Sequence, residues 1–339
     1  MAQSRLRRRK SRNSRMKRGL KIFVFIGLFS FLIAGAAVTY FAFQLANATS
    51  SAQQELERGE KSDRRTEAVN PTKDNISILF LGVDDRDGSL VGRTDAMLLA
   101  TFNRSDSSIK ILSIPRDSLV TIPGRANRDK INHAHAFGGL DLTVDTVEEL
   151  LDIPIDYYLK LNFNAFIEIV DAFGGVEIDV PFTFSEQDSF GNHGAVTLNE
   201  GTHVLNGEEA LAYTRMRKND PRGDIGRGER QQDVIQALIK KAATFSSISN
   251  YDDVFNSIGN HMTTNLSFGN MIALHNYANS IESMENLNFE GNDTRLNGIY
   301  YYELDEVSRQ TISRVLRIHL GLEATTTEMT ETTDTTETP

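Results

Sequence analysis

Apolar positions divide the chain after residue 21 into four regions. From Ile22 to about Ala46 the run IFVFIGLFSFLIAGAAVTYFAFQLA carries no charge over about 25 residues, long enough to cross a hydrocarbon core of about 30 Å. Residues 47–74 are polar and read as a juxtamembrane stalk, helical in its first part and ending near Pro71. Over 75–321, short apolar runs alternate with longer segments of helical spacing. From 322 to 339 the chain becomes a Thr/Glu tail, a composition that cannot bury a core and predicts disorder.

Within the third region, ISILFLG (76–82), AMLLATF (96–102) and IKILSI (109–114) are short and rich in β-branched residues, as strands are. LTVDTVEELL (142–151) has helical spacing. DYYLKLN (156–162) predicts a strand, NFNAFIEIVDAFG (162–174) a helix and GVEIDV (175–180) a strand. Residues 181–206 are Gly- and Asn-rich and read as a hairpin with loops. A long helix is expected over about 226–245, another over 267–281, a strand over 297–303 and a last helix over 305–320. Such alternation predicts a layered α/β domain with helices on both faces of a sheet.

Charge changes the picture at the N-terminus. Residues 1–21 hold ten Lys/Arg and no acid. Basic residues before an apolar span predict a cytoplasmic N-terminus and an exported bulk. Ala46-Asn47-Ala48 matches an A-x-A cleavage site, but the apolar run exceeds the 7–15 residues of a signal core, which favours an uncleaved anchor. The basic tail would also suit a nucleic-acid arm, yet ten charges beside a span need no such partner. The whole chain carries −10, so the other 318 residues carry −10 − 10 = −20. Cysteine and tryptophan are absent, which excludes disulfides, thiolate metal sites and cysteine nucleophiles.

Against this acidic background, AYTRMRKNDPRGDIGRGER (212–230) gathers Arg215, Arg217, Arg222, Arg227 and Arg230. In the helix that follows, stepping back from Val234 reaches Gln231 and Arg227, so both extend the buried stripe, with Arg230 beside it. A guanidinium on such a line needs an anionic partner. Helix N-termini disfavour cations and bind phosphate. Arg215 and Arg217 flank Met216 and would share a face in an extended segment. Phosphate binding is one reading; an ion-pair network with acids such as Asp220 and Asp224 is the other.

Three further segments carry chemistry. Asp84, Asp85, Arg86 and Asp87 follow an apolar strand and Asp95 precedes the next, where α/β sheets bind ligands. Oxygen-only donors suit Mg²⁺; an acidic turn is the alternative. In SIPRDS (113–118), Arg116 follows a strand. In KINHAHAFGG (130–139), Lys130, Asn132, His133 and His135 precede a Gly-Gly break, with no third ligand at zinc spacing.

Together LGVDDR, GRTDAM, SIPRDS, KINHAHAFGG, IPIDYYLKLNF, VDAFGGVEIDV, LNGEEALAYTRMRKNDPRGDIGRGERQQ and NGIYYY resemble the LytR-CpsA-Psr family of bacterial envelope proteins, in family order across about 77–303. The resemblance implies a layered α/β/α sandwich around a mixed central sheet, with one N-terminal transmembrane helix. It implies a Mg²⁺-dependent phosphotransferase, Mn²⁺ being the substitute ion. Such enzymes move wall teichoic acid or capsular polysaccharide from a polyprenyl-pyrophosphate carrier to a muramic acid hydroxyl of peptidoglycan, through a phosphodiester. It places the domain outside a Gram-positive cell, on a single-pass anchor in the cytoplasmic membrane, with no nucleic-acid partner. By residue, Asp84 and Asp95 match the metal aspartates and Arg116 an arginine at the pyrophosphate. Arg215, Arg217, Arg227 and Gln231 match the pyrophosphate set, and Lys130 and Asp224 polar positions near it. The catalytic group is then Asp84, Asp95, Arg116, Arg217 and Arg227. Arg222 and Arg230 are not carried over, although Arg230 stays a candidate for its place beside the buried stripe. His135 stands where the family commonly has an aromatic and takes no catalytic role. A polyprenyl-pyrophosphate phosphatase and a non-catalytic envelope regulator or transcriptional attenuator are the alternatives.

Overall fold

The computed structural model describes residues 53–84, 90, 92–218, 220–244, 261–274, 277 and 283–324, all within a compact unit spanning Ala48–Pro339. The basic tail, the apolar run 22–46, Asp85 to Asp87 and the Thr/Glu residues from 325 lie outside the described residues. No helix among the described residues is long and apolar enough to cross a membrane.

Six strands form the central sheet. β1 (Ile76–Val83), β2 (Thr94–Asn103) and β3 (Ser108–Ser113) are nearly continuous apolar runs, as expected of strands covered on both faces. β1 pairs antiparallel with β2, and β2 with β3. β4 (Leu119–Val120) and β5 (Asp129–Lys130) make a small separate ladder. The chain then enters α1 (His133–Leu151), broken at Gly138 and Gly139, and returns as β6 (Tyr157–Leu161) parallel to β1. β11 (Met262–Thr264) and β12 (Met284–Asn288) close the sheet, giving the order β11-β6-β1-β2-β3-β12. The sheet is therefore mixed.

Strand alternation sends side chains to two helical layers. On one face Leu79, Leu81, Leu99 and Leu112 pack with Val144, Val147 and Leu151 of α1. Ile312 and Leu316 of α6 (Glu306–His319) complete that layer. On the other face Ile78, Ala100, Phe102 and Ile111 meet Ile235 and Ile239 of α4 (Gly223–Thr244). Val234 and Leu238 of that helix turn instead to a second core. This core joins α2 (Phe163–Ala172), β7 (Val176–Val180) and β10 (Gly201–Leu205), the hairpin β8 (Phe184–Glu186) with β9 (Val196–Leu198), and α3 (Gly207–Arg215). Between β11 and β12 lies α5 (Phe268–Ala273), within the helix expected over 267–281, of which residues 275, 276 and 278–281 lie outside the described residues. Hairpin β13 (Gly291–Leu296) and β14 (Ile299–Leu304) precedes α6.

Two expectations are corrected. Residues 47–52 of the expected stalk lie outside the described residues, but residues 53–74 hold no helix and lie on the domain: Leu56 is buried in the first core, Arg58 pairs with Glu148 at 2.9 Å and Arg65 with Asp156 at 2.7 Å. Their polar composition reflects ion pairs with carboxylates of the domain, the buried Glu148 and Asp156 among them. Arg215 is not in an extended segment but is the last residue of α3, whose capping box joins Asn206 and Glu209. Helical winding therefore separates Arg215 from Arg217.

Candidate functional site

Register brings the chemistry together. Gly82 opposes Ala96 and Val83 opposes Thr94, so Asp95 is the extra residue of a β-bulge and Asp84 follows directly at the same end of the pair. Bulges re-aim side chains next to sites. The strand neighbour β3 ends at Ser113, and the Ile114 amide still bonds to the Met97 carbonyl at 2.9 Å. Two residues on, Arg116 reaches back across the strand ends, and its Nη1 lies 2.5 Å from Asp95 Oδ1.

From Arg116 a line of alternating charge continues. Its Nε is 3.6 Å from Asp117 Oδ2, and Asp117 Oδ1 is 2.7 Å from Lys130 Nζ. The N-terminal turn of α4 approaches from the other side. Asp224 sits in that turn, with Arg227 Nη2 at 2.9 Å and Arg217 Nη1 at 3.6 Å. Arg116, Arg217 and Asp224 line a cavity of about 550 Å³, together with Asp117, Ile225 and Tyr300.

The electrostatics are uneven. Burial depresses the Arg116 guanidinium, but Asp95, with Asp117 and Asp224, outweighs it and the net direction is up. Arg227 moves the opposite way. Its side chain is 12% exposed, burial dominates, and Arg116 and Arg217 add to it against Asp224 and Asp95. A desolvated cation beside two others is under-compensated, and an incoming anion would relieve it.

The remaining candidates are placed elsewhere. Arg215 stacks at 4.7 Å on the Phe163 ring and donates to the Asp188 carbonyl at 3.2 Å. Among the described residues Gln231 reaches only the Thr214 carbonyl, at 3.5 Å. Of the arginines on the helix, Arg230, not Arg227, is the most deeply buried. It is 2% exposed, Nη1 is 2.6 Å from Asp220 Oδ2, and Nη2 donates to the Met216 carbonyl at 2.5 Å. Asp220 also accepts from the Arg222 amide at 2.8 Å. Arg230 and Arg222 thus serve the loop that carries Arg217. Gly226 allows this: a Cβ there would stand 1.9 Å from Asp220 Oδ2.

The two histidines of the KINHAH segment diverge. His133 Nδ1 meets Asp129 at 3.0 Å, and His135 Nδ1 meets the Gly92 carbonyl at 2.6 Å. Among the described residues no three His, Cys, Asp or Glu gather as a metal cage. Two carboxylates at one strand end do fit Mg²⁺, which is usually held by one or two carboxylates plus substrate phosphates. The buried Thr94 hydroxyl beside Asp95 has no hydrogen-bond partner, so polar capacity remains there. Sequence reasoning passed over Asp117 and Tyr300. The first lies inside the quoted SIPRDS, but its link to Lys130 depends on the β4–β5 ladder, where Leu119 opposes Lys130.

Comparison with known proteins agrees with this architecture. The teichoic acid transferase TagT of Bacillus subtilis, in full polyisoprenyl-teichoic acid–peptidoglycan teichoic acid transferase, is 42% identical over 92% of this chain and 99% of its own. A structure of TagT bound to LIIa-WTA covers 79% of this chain and 99% of that one, at 42% identity and a TM-score of 0.69. Another, with bound octaprenyl pyrophosphate lipid, covers 79% and 99% at 39% identity and a TM-score of 0.64. The LytR_cpsA_psr family model matches residues 39–318, and the chain therefore belongs to the LytR-CpsA-Psr family.

Proposed function

We propose that this chain transfers an anionic glycopolymer, wall teichoic acid or a capsular polysaccharide, from a polyprenyl-pyrophosphate carrier to peptidoglycan. The observation that carries the reading is the convergence of three arginines at the strand ends: Arg116 and Arg217 line one cavity, and Arg227 pairs with Asp224 of its lining. The similarity to TagT, whose structure holds octaprenyl pyrophosphate, supports it.

In the reaction, the acceptor hydroxyl oxygen forms a bond to the phosphorus that bears the polymer. The bond from that phosphorus to the bridging oxygen breaks, polyprenyl phosphate leaves with that oxygen, and the hydroxyl proton passes to a base. Catalysis of such a step is mainly positioning and charge stabilisation. Guanidinium forks suit paired phosphate oxygens. Arg116 is held in place by Asp95, and Arg227 by Asp224, so both are positioned before substrate arrives. Asp84 and Asp95 would hold Mg²⁺, or Mn²⁺ in its place, which neutralises phosphate charge when bound. The run 22–46 would anchor the domain outside the membrane, N-terminus inside, and raise the effective concentration of a lipid-linked donor.

Labelled lipid-linked polymer, Mg²⁺ and peptidoglycan test the reading with one incubation. Label on peptidoglycan is the expected result. Release of free polymer phosphate alone makes the protein a phosphatase, with water as acceptor, and an unchanged donor leaves an envelope regulator without catalysis.

A further inference from the structure

The cavity before the arginines has a second wall. Hairpin β13–β14 contributes Asp293, Tyr300 and Tyr302 to it, facing Arg116, Arg217 and Asp224. The wall is fixed to the catalytic side. The Tyr302 amide donates to the Asp117 carbonyl at 2.9 Å, and Tyr302 bridges Ser118 in parallel. Lys130, already paired with Asp117, lies 5.8 Å from the Tyr300 ring centroid and 5.6 Å from that of Tyr301. Tyr300 is itself oriented, because its hydroxyl donates to Asp293 Oδ1 at 2.8 Å.

The two walls differ in chemistry. One is cationic and suits phosphate. The other offers aromatic rings, a phenol and a carboxylate, and Asp293 would repel a polyphosphate. Rings beside a few placed polar groups suit an uncharged polyhydroxylated ligand, whose C–H face can lie on a ring while its hydroxyls bond to the carboxylate. Burial, with Asp293, Asp224 and Asp117, pushes the Tyr300 phenol upward, so it remains a donor at neutral pH.

We propose that this hairpin is the acceptor wall: Tyr300 and Asp293 seat a sugar of the accepting glycan strand so that its hydroxyl faces the phosphorus held by the arginines. The inference rests on the transfer reading. It makes Tyr300 and Asp293 acceptor-binding residues that the donor does not need.

Full-length protein in detergent, with Tyr300→Ala, Asp293→Asn and Tyr300→Phe, gives the test. Transfer is measured against the concentration of soluble peptidoglycan fragments, and octaprenyl pyrophosphate binding is measured separately. Fragment binding is also titrated without donor. Tyr300→Ala and Asp293→Asn should each raise the acceptor KM about tenfold, with octaprenyl pyrophosphate affinity unchanged. Tyr300→Phe keeps the ring and should fall between them and the wild type. An unchanged acceptor KM in both variants overturns the inference, and so does a parallel loss of octaprenyl pyrophosphate binding, which would mark a structural role. A wild-type protein that binds fragments, loses them on Tyr300→Ala and yet transfers nothing refutes the transfer reading while the wall stands.

Discussion

The buried pair Asp220–Arg230 holds the loop between α3 and α4, and Asp220→Asn isolates its contribution. The two side chains are 1% and 2% exposed, with 2.6 Å between Oδ2 and Nη1. Burial raises the Asp220 carboxyl, but hydrogen bonds from Arg230 and Arg222 outweigh it and hold the group below its ordinary value. Asparagine keeps the shape and removes the charge, leaving Arg230 desolvated without a counter-ion. Breaking one side of a buried pair costs about 3–5 kcal/mol. Asparagine retains an oxygen for the Arg222 amide, so the lower end, about 3 kcal/mol, applies here. With a urea slope near 3 kcal/mol/M for a unit of this size, the midpoint should fall by about 1 M. Replacing Arg230 by Met in the same protein removes the stranded charge and should restore most of the loss. A midpoint unchanged in Asp220→Asn, or a double variant no more stable than the single one, would refute the reasoning.

Other outcomes follow from the same contacts. Gly226→Ala places a methyl group against the Asp220 carboxylate and should destabilise by about 1–3 kcal/mol in the same titration. His319 is 4% exposed, bonded to Thr101 and Ser108, and burial pulls its imidazole down to about 4. Its unfolded value is about 6.5, so the unfolded chain binds the extra proton. The neutral ring's stabilisation is then complete above pH 6.5 and lost as pH falls from 6.5 towards 4, a term of about 3 kcal/mol. His319→Gln should flatten that part of the stability profile. Chelation should abolish polymer transfer, with recovery on adding Mg²⁺ or Mn²⁺; full activity in excess chelator would remove the metal from the account.

The central strands were legible because both faces are covered, which leaves long apolar runs such as ILFLG and AMLLATF. β12 was not: MENLN is polar, and only its parallel pairing with β3 makes it a strand. α3 escaped notice because GEEALAYTR lacks a long apolar stripe, although Asn206 and Glu209 already spelled a capping box. That omission misplaced Arg215. In the site, helical phase identified an inward line on α4 but not which arginine it buries most. The answer depends on Asp220, ten residues earlier in a loop whose path no periodicity records. The Asp95–Arg116 contact likewise needs a bulge, and the facing wall of Tyr300 comes from a hairpin 170 or more residues downstream of the arginine segment SIPRDS.

The central claim is that Arg116, Arg217 and Arg227 form a pyrophosphate site. Calorimetric titration of octaprenyl pyrophosphate into wild type, Arg116→Ala, Arg217→Ala and Arg227→Ala tests it most directly. Hydrogen bonds to charged groups contribute about 1.5–3 kcal/mol, so each variant should bind about 10–100-fold more weakly. Wild-type affinity in all three would contradict the account.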